Sequence, residues 1–227
     1  MLAILVALGI GCLYNLHSIA GTLKKILGHL AAKVPREITH EKVIKDCESD
    51  FKKFLSVMDI MGDKLGPLLF QFGYFNKKAF KPLDQFLARL VPFLKKLPKG
   101  YKFAVEIRNN NWLVPKFADV LRERGIALTL IDQAWMPRSA EWFAKFDPIT
   151  ADFTYIRWLG DRKGIEKLTK TWNKTIVNRN AELAEWVEIV RQVHKRKIQI
   201  FACANNHYAS FGPATVERFQ KMLDAGL

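Results

Sequence analysis

Short apolar runs alternate along the chain with segments whose apolar residues recur every three to four positions. The first pattern is typical of strands buried on both faces, and the second of helices that cover a sheet. The predicted strands are 31–35, 67–72, 102–107, 126–131, 153–158 and 197–203. The predicted helices are about 46–65, 83–97, 115–124, 168–193 and a segment starting near Pro213. This alternation predicts an α/β fold with a parallel sheet covered by helices.

The first part of the chain has a different pattern. Residues 1–23 contain no charged side chain, and Met1–Leu13 is almost wholly apolar. We therefore divide the chain into an apolar N-terminal helix or leader, residues 1–30, and a domain, residues 31–227. The segment either packs on a cytoplasmic domain, or spans a membrane as a transmembrane helix, or is a removed or misassigned leader. In the membrane alternative, Lys24 and Lys25 would keep the body of the protein in the cytoplasm.

Composition narrows the class of protein. With 49% hydrophobic and 26% charged residues the chain can form an ordinary globular core. The net charge of +14 makes it a basic protein, but the excess is spread along the chain, which favours only weak affinity for nucleic acid. Cys12, Cys47 and Cys203 form no CxxC pair, which argues against a disulfide framework and suits a reducing compartment. No metal-ligand spacing is present, and the sequence names no cofactor.

Polar and aromatic residues collect where the predicted strands end. In parallel α/β architectures the loops at the carboxyl ends of strands carry the chemistry. The candidate site residues at these ends are Gln71, Glu106, Arg108, Trp112, Asp132, Arg157, Asn205, Asn206 and His207. Their convergence predicts a polar pocket at one rim of the sheet.

The two candidate acids follow adjacent predicted strands. Glu106 and Asp132 could transfer protons as an acid/base pair, or could ligate a hard metal ion with His207 as a third ligand. Alternatively, Glu106 pairs with Arg108 or Arg157, because buried carboxylates are usually paired. Those two arginines could instead grip a phosphate or a carboxylate, since guanidinium forks suit such oxygens.

The other candidates also have two interpretations. Gln71, Asn205, Asn206 and His207 are predicted to bind and orient a substrate, although asparagines often satisfy loop backbone groups instead. Trp112 could stack on a ligand or pack in the core. Lys33, near a strand end, is either a catalytic amine or an exposed lysine, and His40 precedes Glu41 in what looks like a helix start.

Several of these residues lie in stretches that resemble a known family. The matching stretches are AKVPREITH (32–40), KLGPLLFQF (64–72), FAVEIRNNNW (103–112), TLIDQAWMP (129–137), TADFTYIRWLGDR (150–162) and ACANNHYASFGPAT (202–215). Together they make residues from about 31 to 222 similar to the domain of unknown function 72 family, the YecE-like proteins. The resemblance implies a TIM-barrel-like fold with a polar pocket at the carboxyl-terminal face. It implies no established reaction.

One part of the family pattern is missing. Members of that family usually begin with a Gly-rich strand ending near a Trp, followed by a strand with a Glu-x-Asn pattern, and neither occurs in residues 1–30. We therefore expect an incomplete parallel (β/α) barrel of TIM type with about six strands. Its open edges would be covered by residues 1–23 or by a second subunit, since uncovered edges invite aggregation.

Three functional hypotheses follow. The first is an enzyme that hydrolyses or isomerises a small polar or anionic substrate, such as a sugar or a phosphorylated compound. The second is a truncated family fragment without catalytic activity. The third is a basic nucleic-acid-binding protein, whose affinity would fall steeply with salt because bound phosphates release counterions.

Overall fold

The computed structural model of the protein describes residues 2–5, 29–76, 79–80 and 82–225. The strands are β1 Leu2–Leu5, β2 Leu30–Lys33, β3 Leu65–Gln71, β4 Phe103–Glu106, β5 Ala127–Leu128, β6 Leu130–Gln133, β7 Phe153–Gly160 and β8 Gln199–Ala204. The α-helices are α1 Glu48–Met58, α2 Leu83–Lys95, α3 Pro115–Arg122, α4 Ser139–Lys145, α5 Arg162–Leu168, α6 Asn180–Lys195, α7 Asn206–Ala209 and α8 Gly212–Asp224. The α/β class is confirmed.

Every strand pairing in the described part of the chain is parallel. One sheet has the order β1-β8-β7-β6 and the other the order β2-β3-β4-β5. Only Thr129 separates β5 from β6, so the edge strand of one sheet continues almost directly into the edge strand of the other. β1 and β2 are the outer strands, and no pairing joins them among the described residues. The structure therefore shows parallel sheets covered by helices, but not a closed barrel.

Alternating side chains divide the strands into an outer and an inner face. The outer residues of β3, β4, β7 and β8 pack with the helices in the large core. The inner residues form a second cluster, made of Leu69, Ala104, Ala127, Phe153, Tyr155, Phe201 and Cys203, with Ala31 packed against it. Small alanines of β2, β4 and β5 thus face the large aromatic rings of β7 and β8. Because residues of both sheets meet in this cluster, the sheets curve around a common interior.

The six predicted strands are all present, and the one at 126–131 is divided into β5 and β6. At the N-terminus, within the predicted apolar helix or leader, Leu2–Leu5 is a strand that pairs with Ile200–Cys203 of β8. The edge of a sheet presents unpaired backbone N–H and C=O groups, and an apolar segment that lies along this edge as a strand forms hydrogen bonds with them. Residues 6–28 of the predicted apolar helix lie outside the described residues. Among the helices that the structure does describe, none is long and apolar enough to cross a membrane.

The predicted helix at 168–193 is wrong in its first part. α5 ends at Leu168, and α6 begins only at Asn180. Between them the Thr169 hydroxyl accepts a hydrogen bond from the Thr171 backbone N–H at 3.0 Å, a local turn that competes with helix. The Ile176 N–H donates to the Ala209 carbonyl at 3.0 Å, which ties this loop to α7.

Candidate functional site

A buried carboxylate joins the two sheets. Glu106 ends β4 and is completely buried. One of its oxygens pairs with Nη2 of Arg108, and the other pairs with Nη1 of Arg157 on β7. Residues two apart on a strand share a face, so Arg157 projects on the same side as Tyr155 of the inner cluster. The prediction that Glu106, Arg108 and Arg157 meet therefore holds in the structure.

The two guanidinium groups are not neutralised by their shared partner. One carboxylate faces two cations, and the arginine side chains keep only 11% and 10% of their surface exposed. Nε of Arg108 is buried and has no hydrogen-bond partner among the described residues. A buried donor without an acceptor is costly, which makes this N–H available to a ligand oxygen.

The pKa shifts of the arginines follow from burial and from their neighbours. Burial, reinforced by the Arg157 cation, lowers the pKa of Arg108 against the opposing effect of Glu106. Burial is the largest single effect on Arg157 and opposes its charge, but Glu106, Tyr155 and Cys203 together outweigh burial and raise the pKa of that guanidinium. Arginine does not lose its proton in proteins, so both groups stay charged.

Lys33 lies at the same strand ends. It closes β2, and its neighbour Val34 belongs to the outer core while Ala31 packs on the inner cluster, so Lys33 starts from the inner face of the sheet. The residue is nevertheless exposed, as one of the two interpretations from the sequence expected. Partial burial, followed by the Arg157 and Arg108 cations, lowers the pKa of the Lys33 ammonium, and Glu106 only partly offsets this. We call Lys33, Glu106, Arg108 and Arg157 the strand-end pocket.

His40 stands beside the strand-end pocket. Its Nδ1 lies 2.8 Å from the Thr39 hydroxyl, and a Cβ on Gly73 would sit 3.4 Å from its Cδ2. Burial lowers the pKa of His40, and the cations of Arg36, Lys33 and Arg108 lower it further. His40 is therefore mainly neutral at pH 7 and can accept a proton.

Neutral polar groups lie next to Glu106. Gln71 of β3 is its Cα partner in the sheet. Thr129, whose N–H bonds the Val105 carbonyl at 2.9 Å, is 1% exposed, and its hydroxyl has no hydrogen-bond partner in the described part of the chain. Sequence reasoning missed Thr129 although its position is two residues after Ala127, an inner residue. Burial also raises the pKa of Tyr155, which hydrogen-bonds Cys203.

Asp132 is not brought to the strand-end pocket. Its Cα partner in the sheet is Trp158, whereas the inward-facing Arg157 is paired with Ile131. Asp132 accepts hydrogen bonds from Trp186 Nε1 at 2.9 Å and from the Tyr208 hydroxyl at 3.0 Å. The structure therefore places the two predicted acids on opposite faces of the sheet, with Asp132 tying α6 and α7 to β6.

The predicted binding residues after β8 support the local backbone. Asn205 Oδ1 accepts from the His207 N–H at 2.9 Å, and Asn206 Oδ1 accepts from the Gly212 N–H at 2.8 Å. His207 Nε2 lies 3.3 Å from a carboxylate oxygen of Glu166. At Gly160 (φ +67°), a Cβ would overlap the His207 carbonyl, so only glycine lets β7 end against α7. These contacts match the loop interpretation of the asparagines.

Trp112 is a core residue. It is 2% exposed, and its ring stacks on Phe86 at 5.2 Å and on Phe75 at 5.8 Å between centroids. Asn109, which sequence reasoning did not single out, exchanges two hydrogen bonds with the backbone of Phe75, at 2.8 and 2.9 Å. The segment after β4 therefore fixes the loop after β3 and does not offer Trp112 to a ligand.

Other features of the described residues carry less chemistry. A cavity of about 420 Å³ lies between α1 and α2, and one of about 580 Å³ lies at the amino ends of β3 and β4, both remote from the strand-end pocket. Within the described ranges, no group of three His, Cys, Asp or Glu residues could hold a metal ion.

Comparison with known proteins identifies the family. The family model described as "Protein of unknown function DUF72" matches residues 29–226. A DUF72 family protein from Thermotoga maritima is similar in structure, with a TM-score of 0.70 and 22% identity over 98% of this chain and 84% of that one. A DUF72 family protein from Enterococcus faecalis gives a TM-score of 0.65 and 19% identity over 92% and 84%. No curated protein matches. The chain belongs to the DUF72 family, whose function is unknown.

Proposed function

We propose that the strand-end pocket binds a small anionic substrate through a phosphate or carboxylate group, and that the protein is an enzyme acting on that compound. The observation that carries the proposal is the uneven charge of the pocket, in which Arg108 and Arg157 share the single carboxylate of Glu106. The unpaired Nε of Arg108 supplies a donor for a ligand oxygen. Hydrogen bonds between guanidinium and phosphate or carboxylate are about twice as strong as those between neutral groups.

The roles of the acids follow from their contacts. Glu106 is held by two arginines, so we assign it the positioning of these groups and not the transfer of a proton. Asp132 faces α6 and α7 and supports the fold. Lys33 of the strand-end pocket and His40 beside it carry titratable groups that could exchange protons with a substrate. Hydrolysis or isomerisation of a phosphorylated or sugar-like compound fits this set of residues.

Calorimetric titration with inorganic phosphate tests the binding step. We expect saturable binding to the wild-type protein and a loss of about tenfold or more in affinity for Arg108→Gln, equivalent to about 1.4 kcal/mol. Arg122→Gln is the matched control, because Arg122 pairs with Asp119 on the exposed face of α3. Absence of binding to the wild-type protein, or an equal loss in both variants, would refute the proposal.

A further inference from the structure

The exposed apolar side chains of the protein are concentrated on one face. Among the described residues, the large hydrophobic side chains exposed to solvent are Tyr74, Trp135, Leu168 and Ile176. All of them lie in segments that follow the carboxyl ends of strands, Tyr74 after β3, Trp135 after β6 and the other two after β7. The strand-end pocket lies at the same ends, and in parallel α/β folds this is the face on which ligands bind.

Tyr74 is fixed next to Arg108 of the strand-end pocket. Phe75, its neighbour in the chain, accepts a hydrogen bond from Asn109 Nδ2 at 2.8 Å and donates its N–H to Asn109 Oδ1 at 2.9 Å. Asn109 directly follows Arg108, and the strands that lead into these two loops, β3 and β4, are neighbours in the sheet. Because hydrogen bonds join the loops one residue beyond Tyr74 and Arg108, these two residues occupy adjacent positions.

The Tyr74 ring differs from the aromatic rings around it. Phe75 is 9% exposed and stacks on Trp112, whereas Tyr74 is 70% exposed. Tyr74 has no hydrogen bond, ion pair or ring contact with any other described residue. An aromatic ring with an open face can stack on a flat ring of a ligand, and nucleobases stack on tyrosine in this way.

Exposed amide groups lie in the same loop as Arg108. Asn110 and Asn111 begin the short turn Asn110–Trp112, which directly follows Asn109. Both residues are exposed, and neither side-chain amide has a hydrogen-bond partner in the described part of the chain. A side-chain amide donates and accepts at once, which suits the adjacent donor and acceptor on the edge of a base. The surroundings of Arg108 thus combine cations for a phosphate, a ring for a base and amides for its edge.

We propose that the strand-end pocket binds a nucleoside monophosphate unit, with the phosphate on Arg108 and Arg157 and the base stacked on Tyr74. The proposal rests on the proposed function, because the two guanidinium groups must hold the phosphate for the base to reach the ring. Asn110 and Asn111 hydrogen-bond the edge of the base. A sugar phosphate without a base would leave the Tyr74 ring uncovered.

Calorimetric titration of the full-length protein with four probes tests the proposal. The probes are inorganic phosphate, ribose phosphate, adenosine monophosphate and a trinucleotide with a terminal phosphate. We expect adenosine monophosphate to bind about tenfold more tightly than ribose phosphate, since stacking of one base on an aromatic side chain contributes about this much. The trinucleotide distinguishes two sources of the unit: tighter binding than adenosine monophosphate identifies the end of a strand, and weaker binding identifies a free nucleotide.

Substitutions at Tyr74 separate base stacking from anion binding. Tyr74→Ala should remove the advantage of adenosine monophosphate over ribose phosphate and leave the affinity for inorganic phosphate unchanged. Tyr74→Phe should keep the advantage, because it keeps the ring. Leu168→Ala is the matched control, because Leu168 is 63% exposed at the end of α5 and has no ring on which a base could stack. Since both side chains are largely exposed, these substitutions leave the core intact.

Failure of this proposal and failure of the proposed function give different results. If inorganic phosphate and ribose phosphate bind but adenosine monophosphate binds no more tightly, base recognition is refuted and the anion pocket stands. If the advantage of adenosine monophosphate survives Tyr74→Ala, the base does not stack on this ring and the proposal is wrong. If none of the four probes binds, the anion pocket fails, and this proposal fails with it.

Discussion

At the scale of single residues, the strand-end pocket is dominated by one carboxylate with two cationic partners. Glu106 is 0% exposed and lies at the end of β4. Its side chain points to the inner face, where it pairs with Arg157 of the other sheet. The ion pair was one of two interpretations open from the sequence, because acids at strand ends are either functional groups or partners of nearby arginines. The sequence alone could not decide between these two interpretations, because the decision depends on which side chains of different strands come into contact. In the structure Glu106 pairs with both Arg108 and Arg157. The two cations exceed the single carboxylate charge, which favours the binding of an anion.

Glu106→Gln should therefore destabilise the protein strongly. The amide has almost the same shape but leaves two buried guanidinium groups without a counter-charge, which costs about 3–5 kcal/mol of unfolding free energy. Urea denaturation gives this difference directly. Glu217→Gln, which breaks an exposed pair with Lys221 on α8, is the control and should leave the unfolding free energy nearly unchanged. Similar losses in the two variants would contradict the role assigned to Glu106.

At the scale of elements, the strands were predictable because apolar runs bounded by helical periodicity are distinctive. The face to which each side chain points was harder to predict. Strands buried on both faces show no alternation of polar and apolar residues. The sequence LTLIDQ therefore does not show to which face of the sheet the Asp132 side chain points. In the structure Asp132 on β6 faces outward beside Trp158, whereas Glu106 at the end of β4 faces inward and pairs with Arg157. Because side chains alternate between the two faces of a strand, a difference of one position decides whether an acid contacts the helices, as Asp132 does, or lies in the strand-end pocket, as Glu106 does.

Asp132→Ala tests this separation. It would leave Trp186 Nε1 and the Tyr208 hydroxyl, both on buried side chains, without their acceptor. We expect a loss of about 1–3 kcal/mol for each unsatisfied donor, measured by urea denaturation. Phosphate affinity, measured by calorimetry on the folded variant, should be unchanged. A fall in affinity as large as that of Arg108→Gln would show instead that Asp132 belongs to the binding site.

At the scale of the whole molecule, the curved parallel sheet brings distant stretches of the chain to one end. β4 and β7 supply Glu106 and Arg157, and the helices outside the sheet keep both strands in place. The likeness to solved DUF72 proteins supports the fold and says nothing of the reaction. The strand Leu2–Leu5 occupies one edge of the sheet, where an apolar helix was predicted. Oligomerisation through the remaining open edge, weak nucleic-acid affinity and membrane contact through residues 1–23 stay predictions.

Anion binding between Arg108 and Arg157 is tested most directly by anomalous diffraction from crystals soaked with tungstate, a heavy-atom analogue of phosphate. We expect an anomalous peak within hydrogen-bonding reach of the Arg108 and Arg157 guanidinium groups, and we expect this peak to disappear in crystals of Arg108→Gln. A strand-end pocket free of tungstate in wild-type crystals, at concentrations that saturate other anion sites on the same molecule, would contradict it.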